Sequence, residues 1–428
     1  MSDLAYRRMG GPTAAESAAA PPSISEVRPV PRISIQAFCE SPDLIAAIEA
    51  AARDRRMARA HVKVQAGGIT AAAEFYQAAA TPNLIIVESK LPRDRLEAEL
   101  NRLSEVCDAG TKVAVVGHVN DVELYRGLAQ RGVSEYLVAP VSLMGIIKMI
   151  ADLYVDRSTQ PLGRTIAFIG AKGGVGSSMI AHNVAWAISR SFENDVVVTD
   201  LDLAFGTAGL DFNQDPAQGI AEALNAPDRL DDNFLDRLLA RCSDHLSLLA
   251  APATLDRTYD FTENAFEQVI DIAQSGMPAV VLDLPHAWNA WVKKTLLAAD
   301  EVVLTAEPDL ANLRNAKNLV DLLKGARRND QPPRLVINKN ALAKRPEIKI
   351  EDFASALGLQ PTAVIPFDAQ LFGTAANNGQ MIAETDPKSP IAESFELIAR
   401  TVTGRAEVKR QKRSGLAPFL TRFMGKSA

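Results

Sequence analysis

Short apolar segments alternate with amphipathic ones through the first third of the chain. Strand candidates lie at residues 33–38, 61–64, 84–87, 112–116 and 135–138. Apolar residues at helical spacing fill the intervals, for example over 43–52 and 93–106. Strands that alternate with helices in this way predict a parallel sheet covered by helices on both faces. We therefore predict a small, doubly wound α/β domain over residues 31–155.

The same alternation resumes after a polar connector at 156–163 that contains Pro161 and Gly163. Apolar strand candidates are followed by long helical patterns, and we predict a second, larger doubly wound sheet over residues 164–403. Residues 1–30 are rich in Ala, Pro, Ser and Gly, a composition typical of disorder. Residues 404–428 lose the periodic pattern and form a basic tail.

Composition restricts the class of protein. The 428 residues suffice for two or three domains, and a net charge of −6 argues against a nucleic-acid-binding surface. No apolar run is long enough to span a membrane, and the first residues lack a signal-peptide pattern. Cys39, Cys107 and Cys242 are widely spaced, which favours neither a disulfide framework nor a zinc site. We expect a cytoplasmic protein.

A glycine-rich segment, Ala171–Ser178, lies between an apolar strand candidate and a helical pattern. A strand, a glycine turn and a helix start form a phosphate cradle, because backbone N–H groups and the helix dipole face one anion. In the usual P-loop, G-x-x-x-x-G-K-[S/T], a lysine stands where this chain has Ser177, and Ser178 keeps the hydroxyl. The expected nucleotide-binding residues here are Lys172, Gly173, Gly174, Val175, Gly176, Ser177 and Ser178.

The early lysine makes this loop resemble the deviant Walker A motif, KGGxGK[S/T], of the MinD/ParA family of dimerising ATPases. The resemblance implies ATP and Mg²⁺ as cofactors, Ser178 as a metal ligand, and Lys172 as a catalytic residue that reaches the partner's nucleotide. Ser177 departs from the motif. Losing one charge-assisted hydrogen bond costs about 1.5–3 kcal/mol, and we expect ATP hydrolysis to be weak or absent.

Further strand ends match the family in the expected order. Asp200 and Asp202 follow one strand, Asp283 ends a Walker B-like strand, and Asn338 and Pro366 end two others. By resemblance, Asp202 positions the attacking water, and Asp200 and Asp283 lie near Mg²⁺. Asn338 is expected to read the adenine edge, and Pro366 to pack near the base. His286 is interpreted as a loop residue without a chemical role.

The order of elements in the N-terminal domain resembles the receiver domain of two-component regulators, which has the flavodoxin-type fold. The receiver chemistry is missing, however. Glu88 stands at the phosphoacceptor position, Gly117 at the usual hydroxyl and Ala139 at the usual lysine. Phosphoryl transfer is therefore not expected. We interpret Glu88 as a solvated acid at a strand end; a mimic of the phosphorylated state remains the alternative.

A degenerate receiver-like domain joined to such an ATPase domain resembles the CpaE/TadZ proteins of Flp-type (tight adherence) pilus assembly. The resemblance implies a homodimeric localisation factor, often at a cell pole, whose partner is the pilus secretion apparatus with its secretion ATPase. Two alternatives stay open: a MinD-type positioning ATPase for division or flagellar placement, and a ParA-type DNA-partition ATPase. No nucleic-acid partner is expected.

The C-terminal tail combines a basic run with apolar residues at helical spacing. By resemblance to the MinD membrane-targeting helix, it predicts a peripheral contact with the inner membrane, worth about 1 kcal/mol per basic residue near anionic lipid. Docking on a protein partner and disorder are the alternatives. The residues concerned are Lys409, Arg410, Lys412, Arg413, Phe419, Leu420 and Phe423.

Overall fold

The computed structural model describes residues 27–154, 162–255 and 257–405. Their contacts divide the chain into two compact units. Of the described residues, the first unit comprises those up to Ala51 together with Ala60–Leu153, and the second comprises Ala52–Arg59 and those from Tyr154 onward. The short segment 52–59, which the sequence pattern places in the N-terminal domain, thus groups with the second unit.

The first unit is a five-stranded parallel sheet with the order β2-β1-β3-β4-β5. Its strands are β1 Ser34–Cys39, β2 His61–Ala66, β3 Leu84–Glu88, β4 Lys112–Gly117 and β5 Glu135–Val138. Its helices are α1 Pro42–Ala52, α2 Gly68–Phe75, α3 Arg93–Ser104, α4 Val122–Gln130 and α5 Leu143–Tyr154. The predicted doubly wound α/β fold is confirmed.

The centre of this sheet is its most buried part. All five residues of β3 are buried, as expected for a strand with neighbours on both edges and helices on both faces. Polar caps set the helix starts: the Asp121 carboxylate accepts a hydrogen bond of 2.8 Å from the N–H of Glu123 at the beginning of α4.

The second unit contains an eight-stranded sheet with the order β13-β12-β11-β6-β10-β7-β9-β8. Its strands are β6 Arg164–Gly170, β7 Val196–Asp200, β8 Ala240–Ser243, β9 Leu246–Leu249, β10 Ala279–Asp283, β11 Glu301–Ala306, β12 Arg334–Asn340 and β13 Pro361–Pro366. The strands are parallel except for β8, which pairs antiparallel with β9 at one edge. This sheet is the larger one predicted from the sequence.

Helices cover both faces of this sheet and enclose two hydrophobic cores. They are α6 Ser177–Phe192, α7 Ala208–Asp211, α8 Ile220–Asn225, α9 Asp232–Leu238, α10 Glu267–Gly276, α11 Ala290–Ala298, α12 Leu310–Ala326, α13 Ile350–Leu357, α14 Ala369–Asn378, α15 Ile382–Thr385 and α16 Pro390–Val402. Strand β6 lies between β10 and β11. The loop after a central strand of such a sheet opens at its carboxyl edge, where ligands of doubly wound folds bind.

A buried ion-pair cluster holds segment 52–59 in the second unit. Asp330 accepts a hydrogen bond of 2.6 Å from Nε of Arg55 and a further one from Arg56, and Arg327 pairs with it at 3.0 Å. Burial alone would raise the pKa of Asp330, but the three guanidinium groups lower it. Asp330 is therefore held ionised inside the structure.

No helix within residues 27–154, 162–255 and 257–405 is long and apolar enough to cross a membrane. The segment predicted to be disordered lies almost entirely outside the described residues, as does most of the connector at 156–163. The basic and apolar tail residues from Lys409 to Phe423 also lie outside them.

Candidate functional site

The glycine-rich segment forms a loop between the end of β6 and the start of α6. Gly174 and Gly176 adopt left-handed backbone angles, with φ of 81° and 85°. Glycine is required at Gly176 for a second reason, since a Cβ there would lie 2.7 Å from Nδ2 of Asn338. These two turns close the loop into a cradle at the N-terminus of α6.

The backbone N–H groups of this cradle have no acceptor among the residues that the structure describes. From Lys172 to Ser178, none donates a hydrogen bond to another residue in the described part of the chain. They lie at the N-terminus of α6, a helix of 16 residues, where the helix dipole is positive. Converging free N–H groups at such a position form an anion site, and a nucleotide phosphate fits that chemistry.

Two consecutive residues at the end of β12 hold the loop from outside. The side-chain amide of Asn338 donates to the carbonyl oxygen of Val175 at 2.8 Å, and Nζ of Lys339 donates to that of Gly174 at 2.5 Å. Asn338 is buried, and its Oδ1 has no hydrogen-bond partner among the described residues. A buried acceptor without a partner is costly. The unpartnered Oδ1 of Asn338 therefore fits the predicted contact with an adenine amino group, which would donate to it.

The beginning of the loop is held in the same way. Asn315, on α12, donates to the carbonyl oxygen of Ala171 at 2.9 Å. Nδ1 of His286 lies 3.2 Å from the carbonyl oxygen of Gly170. Carbonyl groups along the loop are thus occupied by side chains from several elements, which leaves the amide edge for a ligand. His286 has a structural contact, although the sequence assigned it no chemical role.

The hydroxyl groups of the loop fit a phosphate as well. Oγ of Ser177 is buried and has no hydrogen-bond partner in the described part of the chain. Ser178 follows in the first turn of α6, and its hydroxyl likewise makes no hydrogen bond with a described residue. Lys172 is exposed and forms no ion pair within the described residues. The cradle therefore offers two hydroxyl groups and one unpaired lysine beside its free amides.

The acidic side of the site begins where β7 ends. Asp200 is buried, and its two carboxylate oxygens accept hydrogen bonds of 3.1 Å each from the N–H groups of Asp202 and Ala208. Burial, and then the charge of Asp283, raise the pKa of Asp200 to about 7. The carboxylate of Asp202 accepts from the N–H of Phe205 at 3.0 Å. Both acids therefore shape the loop that follows β7.

A buried histidine, His182, lies between two of the acids. Nδ1 of His182 is 2.7 Å from Oδ2 of Asp211, and Nε2 is 3.3 Å from Oδ2 of Asp283. Burial alone would lower the pKa of His182, but the hydrogen bond with Asp211 and the nearby Asp283 outweigh it and raise the pKa to about 10. The imidazole is thus positively charged at neutral pH, next to the carboxylate that ends β10.

The remaining oxygen of Asp283, Oδ1, is buried without a hydrogen-bond partner among the described residues. No group of three or more His, Cys, Asp and Glu side chains within those residues could by itself hold a metal ion. Mg²⁺ commonly takes one or two protein ligands and completes its shell with phosphate and water. Ser178 and Asp283, with Asp200 near by, fit such a partial ligand set.

Pro366 ends β13 beside Asn340 of β12, so the predicted base-side residues Asn338 and Pro366 lie on neighbouring strands. Sequence reasoning missed His182, Asn315 and Lys339. Lys339 directly follows Asn338, so its position at a strand end was a usable signal. His182 lies one helical turn beyond Ser178 on the buried face of α6, and its periodicity alone could not distinguish a core residue from a site residue.

Glu88 in the first unit is not a solvated acid; that interpretation is wrong. Its side chain is 0% exposed and accepts hydrogen bonds of 2.7 and 2.8 Å from the N–H groups of Glu40 and Ser41. The Ser41 hydroxyl and Nε2 of His118 also contact it, at 2.7 and 3.0 Å. Burial alone would raise the pKa of Glu88, but these hydrogen bonds lower it. The carboxylate is therefore a buried hydrogen-bond acceptor at the end of β3.

Comparison with known proteins gives two sets of relatives, although no protein-family model matches the chain. It is 49% identical to a solved pilus assembly protein CpaE of Caulobacter crescentus CB15, a match that covers 30% of this chain and 98% of that one, with a TM-score of 0.30. It is 27% identical to a ParA family ATPase of Chlorobium tepidum TLS, which covers 56% of this chain and 98% of that one, with a TM-score of 0.51.

The septum site-determining protein MinD of Bacillus subtilis (strain 168) is 24% identical over 282 residues, which cover 62% of this chain and 99% of MinD. The chain is therefore similar to a pilus assembly protein at high identity and to MinD and ParA ATPases at lower identity.

Proposed function

We propose that this chain, which belongs to the CpaE family of pilus assembly proteins within the MinD/ParA superfamily, is an ATP-binding, dimerising assembly factor for Flp-type pili. Its ATP hydrolysis is weak or absent. The observation that carries the proposal is the cradle from Lys172 to Ser178, whose backbone N–H groups have no acceptor in the described part of the chain. A preformed anion site of this kind suits a nucleotide phosphate.

The chain's own residues divide the work of binding. The loop amides and the Ser177 hydroxyl hold phosphate, and the unpartnered Oδ1 of Asn338 accepts from the base. Ser178 and Asp283 hold Mg²⁺, which, when bound, offsets the phosphate charge. Asp200, at the end of β7, lies beside these two ligands and supports the metal site. Asp202, which follows it, orients water. Because Ser177 has no positive charge, the charge that builds up on a transferring phosphoryl group is poorly stabilised here.

The carboxyl edge of the large sheet also carries apolar side chains suited to a second copy of the chain. Phe205 follows β7, Trp288 follows β10, and Leu310 follows β11; they are 74%, 54% and 74% exposed. Large apolar side chains clustered on a surface are typical of interaction sites. Lys172, exposed at the same edge, would then reach the nucleotide of the partner.

The assembly role follows from the family. The receiver-like unit keeps the receiver fold but has Glu88 in place of the phosphoacceptor aspartate. We therefore propose that it serves as a docking surface for the pilus secretion apparatus, which includes the secretion ATPase. The tail, outside the described residues, would add a peripheral contact with the inner membrane. A dimer would present two tails, and paired weak contacts bind a membrane much more tightly than one does.

The test is the molar mass of the purified protein by light scattering with Mg-ATP, with Mg-ADP and without nucleotide. We expect a dimer with Mg-ATP and a monomer in the other two conditions. A mass that does not respond to nucleotide, together with no ATP binding by calorimetry, would refute the proposal. A nucleotide-independent dimer that still binds ATP would refute only the nucleotide switch.

A further inference from the structure

Lys339, at the carboxyl edge of the large sheet, contacts the backbone of the cradle. Its backbone is left-handed, with φ of 50°, at the end of β12 where the register with β13 shifts. Lysine seldom adopts this conformation, and such strain persists only where the surroundings enforce it. The result is that Nζ reaches the carbonyl oxygen of Gly174 in the cradle at 2.5 Å.

The contact has a direct consequence for the cradle. A peptide group is planar and trans, so its carbonyl oxygen and its N–H point in opposite directions. When Lys339 holds the carbonyl of Gly174 from outside, the N–H of Val175 must face the inside. Asn338 does the same to the next peptide group, because it holds the carbonyl of Val175 at 2.8 Å and so aims the N–H of Gly176.

A network of ion pairs and hydrogen bonds fixes the position of Lys339 in turn. Nζ pairs with Oε1 of Glu307 at 3.0 Å, and Glu307 also pairs with Arg345. Arg345 donates to the backbone carbonyl of Lys339 at 2.8 Å and pairs with Glu347 at 3.1 Å. The ammonium end of the lysine is thus held by Glu307, which follows β11, and its backbone by Arg345, which follows β12. The ammonium group is tied to its position instead of sampling solvent freely.

From this geometry we propose that Lys339 is a positioning residue of the nucleotide site: it aims the Val175 amide and stiffens a loop whose own lysine is replaced by Ser177. The ligand assignment rests on the proposed function, but the effect on the loop does not. In the usual P-loop a lysine within the loop contacts the phosphates. Here a fixed ammonium group comes from another strand and acts on the loop backbone.

Lys339→Met removes the charge and keeps the length of the side chain. We expect its affinity for Mg-ATP, measured by calorimetry on the full chain, to fall about 10-fold, because binding must then order a loop that the charge-assisted hydrogen bond no longer holds. Lys339→Arg should recover most of that loss. Lys317→Met is the matched control, because Lys317 lies on α12 and, among the described residues, pairs only with exposed Asp321 at 2.6 Å. Wild-type affinity in Lys339→Met would overturn the inference.

A second measurement separates this inference from the proposed function. In the nucleotide-free protein, ¹⁵N relaxation measures the order parameters of the Val175 and Gly176 amides. We expect values of about 0.85 for the wild type and for the Lys317→Met control. In Lys339→Met we expect values below about 0.6 at Val175. Unchanged order parameters would refute the positioning role, even if the wild type binds ATP. If the wild type binds no ATP, the proposed function fails while this experiment still decides the role of Lys339.

Discussion

Nε2 of His182 lies 3.3 Å from Oδ2 of Asp283, inside the second unit and out of contact with solvent. The pair joins α6, the helix that begins at the cradle, to β10, the strand that ends in the Walker B-like carboxylate. On its other side the imidazole contacts Asp211 at 2.7 Å, on the short helix after the β7 loop. One buried cation therefore links three elements that surround the site.

His182→Ala should destabilise the second unit strongly. Removing one partner of a buried ion pair leaves uncompensated charge, which typically costs about 3–5 kcal/mol. Urea unfolding followed by tryptophan fluorescence measures this, since Trp186, Trp288 and Trp291 all lie in the second unit. His245→Ala is the control, because His245 pairs with Asp195 at the surface and should cost at most about 1 kcal/mol. Equal losses in the two variants would contradict the prediction.

The same pair has a pH signature. The pKa of His182 is raised to about 10 in the folded state, above its ordinary value of 6.5. Its stabilising contribution is therefore complete below pH 6.5 and is lost as pH rises toward 10. The raised pKa of Asp200, about 7, acts in the same direction but at lower pH, because its contribution is lost between its ordinary pKa of 3.8 and about 7. Stability should fall between pH 7 and 10 more steeply in the wild type than in His182→Ala.

Lys172→Ala should abolish dimers that depend on nucleotide and leave the monomer folded. Lys172 is exposed and makes no contact that stabilises the described part of its own chain, so its removal should not lower the unfolding temperature. Light scattering with Mg-ATP measures the dimer, and Lys293→Ala on the surface of α11 serves as a control. If Lys172→Ala dimerises with ATP as the wild type does, the proposed contact across the dimer is wrong.

Ser177→Lys should restore the missing cation of the loop. We expect Mg-ATP affinity to rise about 10- to 100-fold, because one charge-assisted hydrogen bond to phosphate is regained. Hydrolysis should rise as well, since positive charge at the transferring phosphoryl group stabilises the transition state. Calorimetry and phosphate release measure the two effects. Ser177→Met, similar in size to lysine but uncharged, controls for steric change; a gain of affinity there would exclude the electrostatic explanation.

Glu88→Gln should loosen the first unit at neutral pH. The amide cannot accept all the hydrogen bonds that the carboxylate receives, and bonds to a charged group are worth about 1.5–3 kcal/mol. Hydrogen exchange of β1 and β3 in the full chain measures the opening. Because the folded-state pKa of Glu88 is lowered, its contribution is present above its ordinary pKa and lost as pH falls through the folded value. The difference between wild type and variant should therefore shrink in acid; a constant difference would contradict this.

Replacing Phe419 and Phe423 with Ser should release the protein from vesicles that contain anionic lipid. If the tail forms a helix, the spacing of Phe419 and Phe423 predicts that both rings share one face, and burial of that face at a lipid interface would drive the proposed binding. Vesicle sedimentation with Mg-ATP measures the bound fraction. Replacing Ser414 and Thr421 with Ala leaves the apolar face intact and should bind as the wild type does. Equal binding by the double Phe variant would refute the membrane contact.

Strand positions in the first sheet could be predicted closely from the sequence. The pattern at 84–87 matches β3, Leu84–Glu88, and the pattern at 135–138 matches β5, Glu135–Val138. Buried parallel strands are short apolar runs bounded by polar turns, so their pattern is local and visible. Glu88 was misjudged because its burial depends on Ser41 and His118, which reach it only after the sheet forms.

What the sequence by itself determined is therefore the order of the elements, the two doubly wound sheets and the loop at Ala171–Ser178, because periodicity and glycine placement are encoded over short stretches. The tertiary structure alone decided which distant side chains surround that loop. Lys339 reaches Gly174 across a separation of 165 residues, and His182 is charged only because Asp211 and Asp283 enclose it. Hydrogen bonds and ion pairs between remote elements depend on the packed sheet, and no local pattern records them.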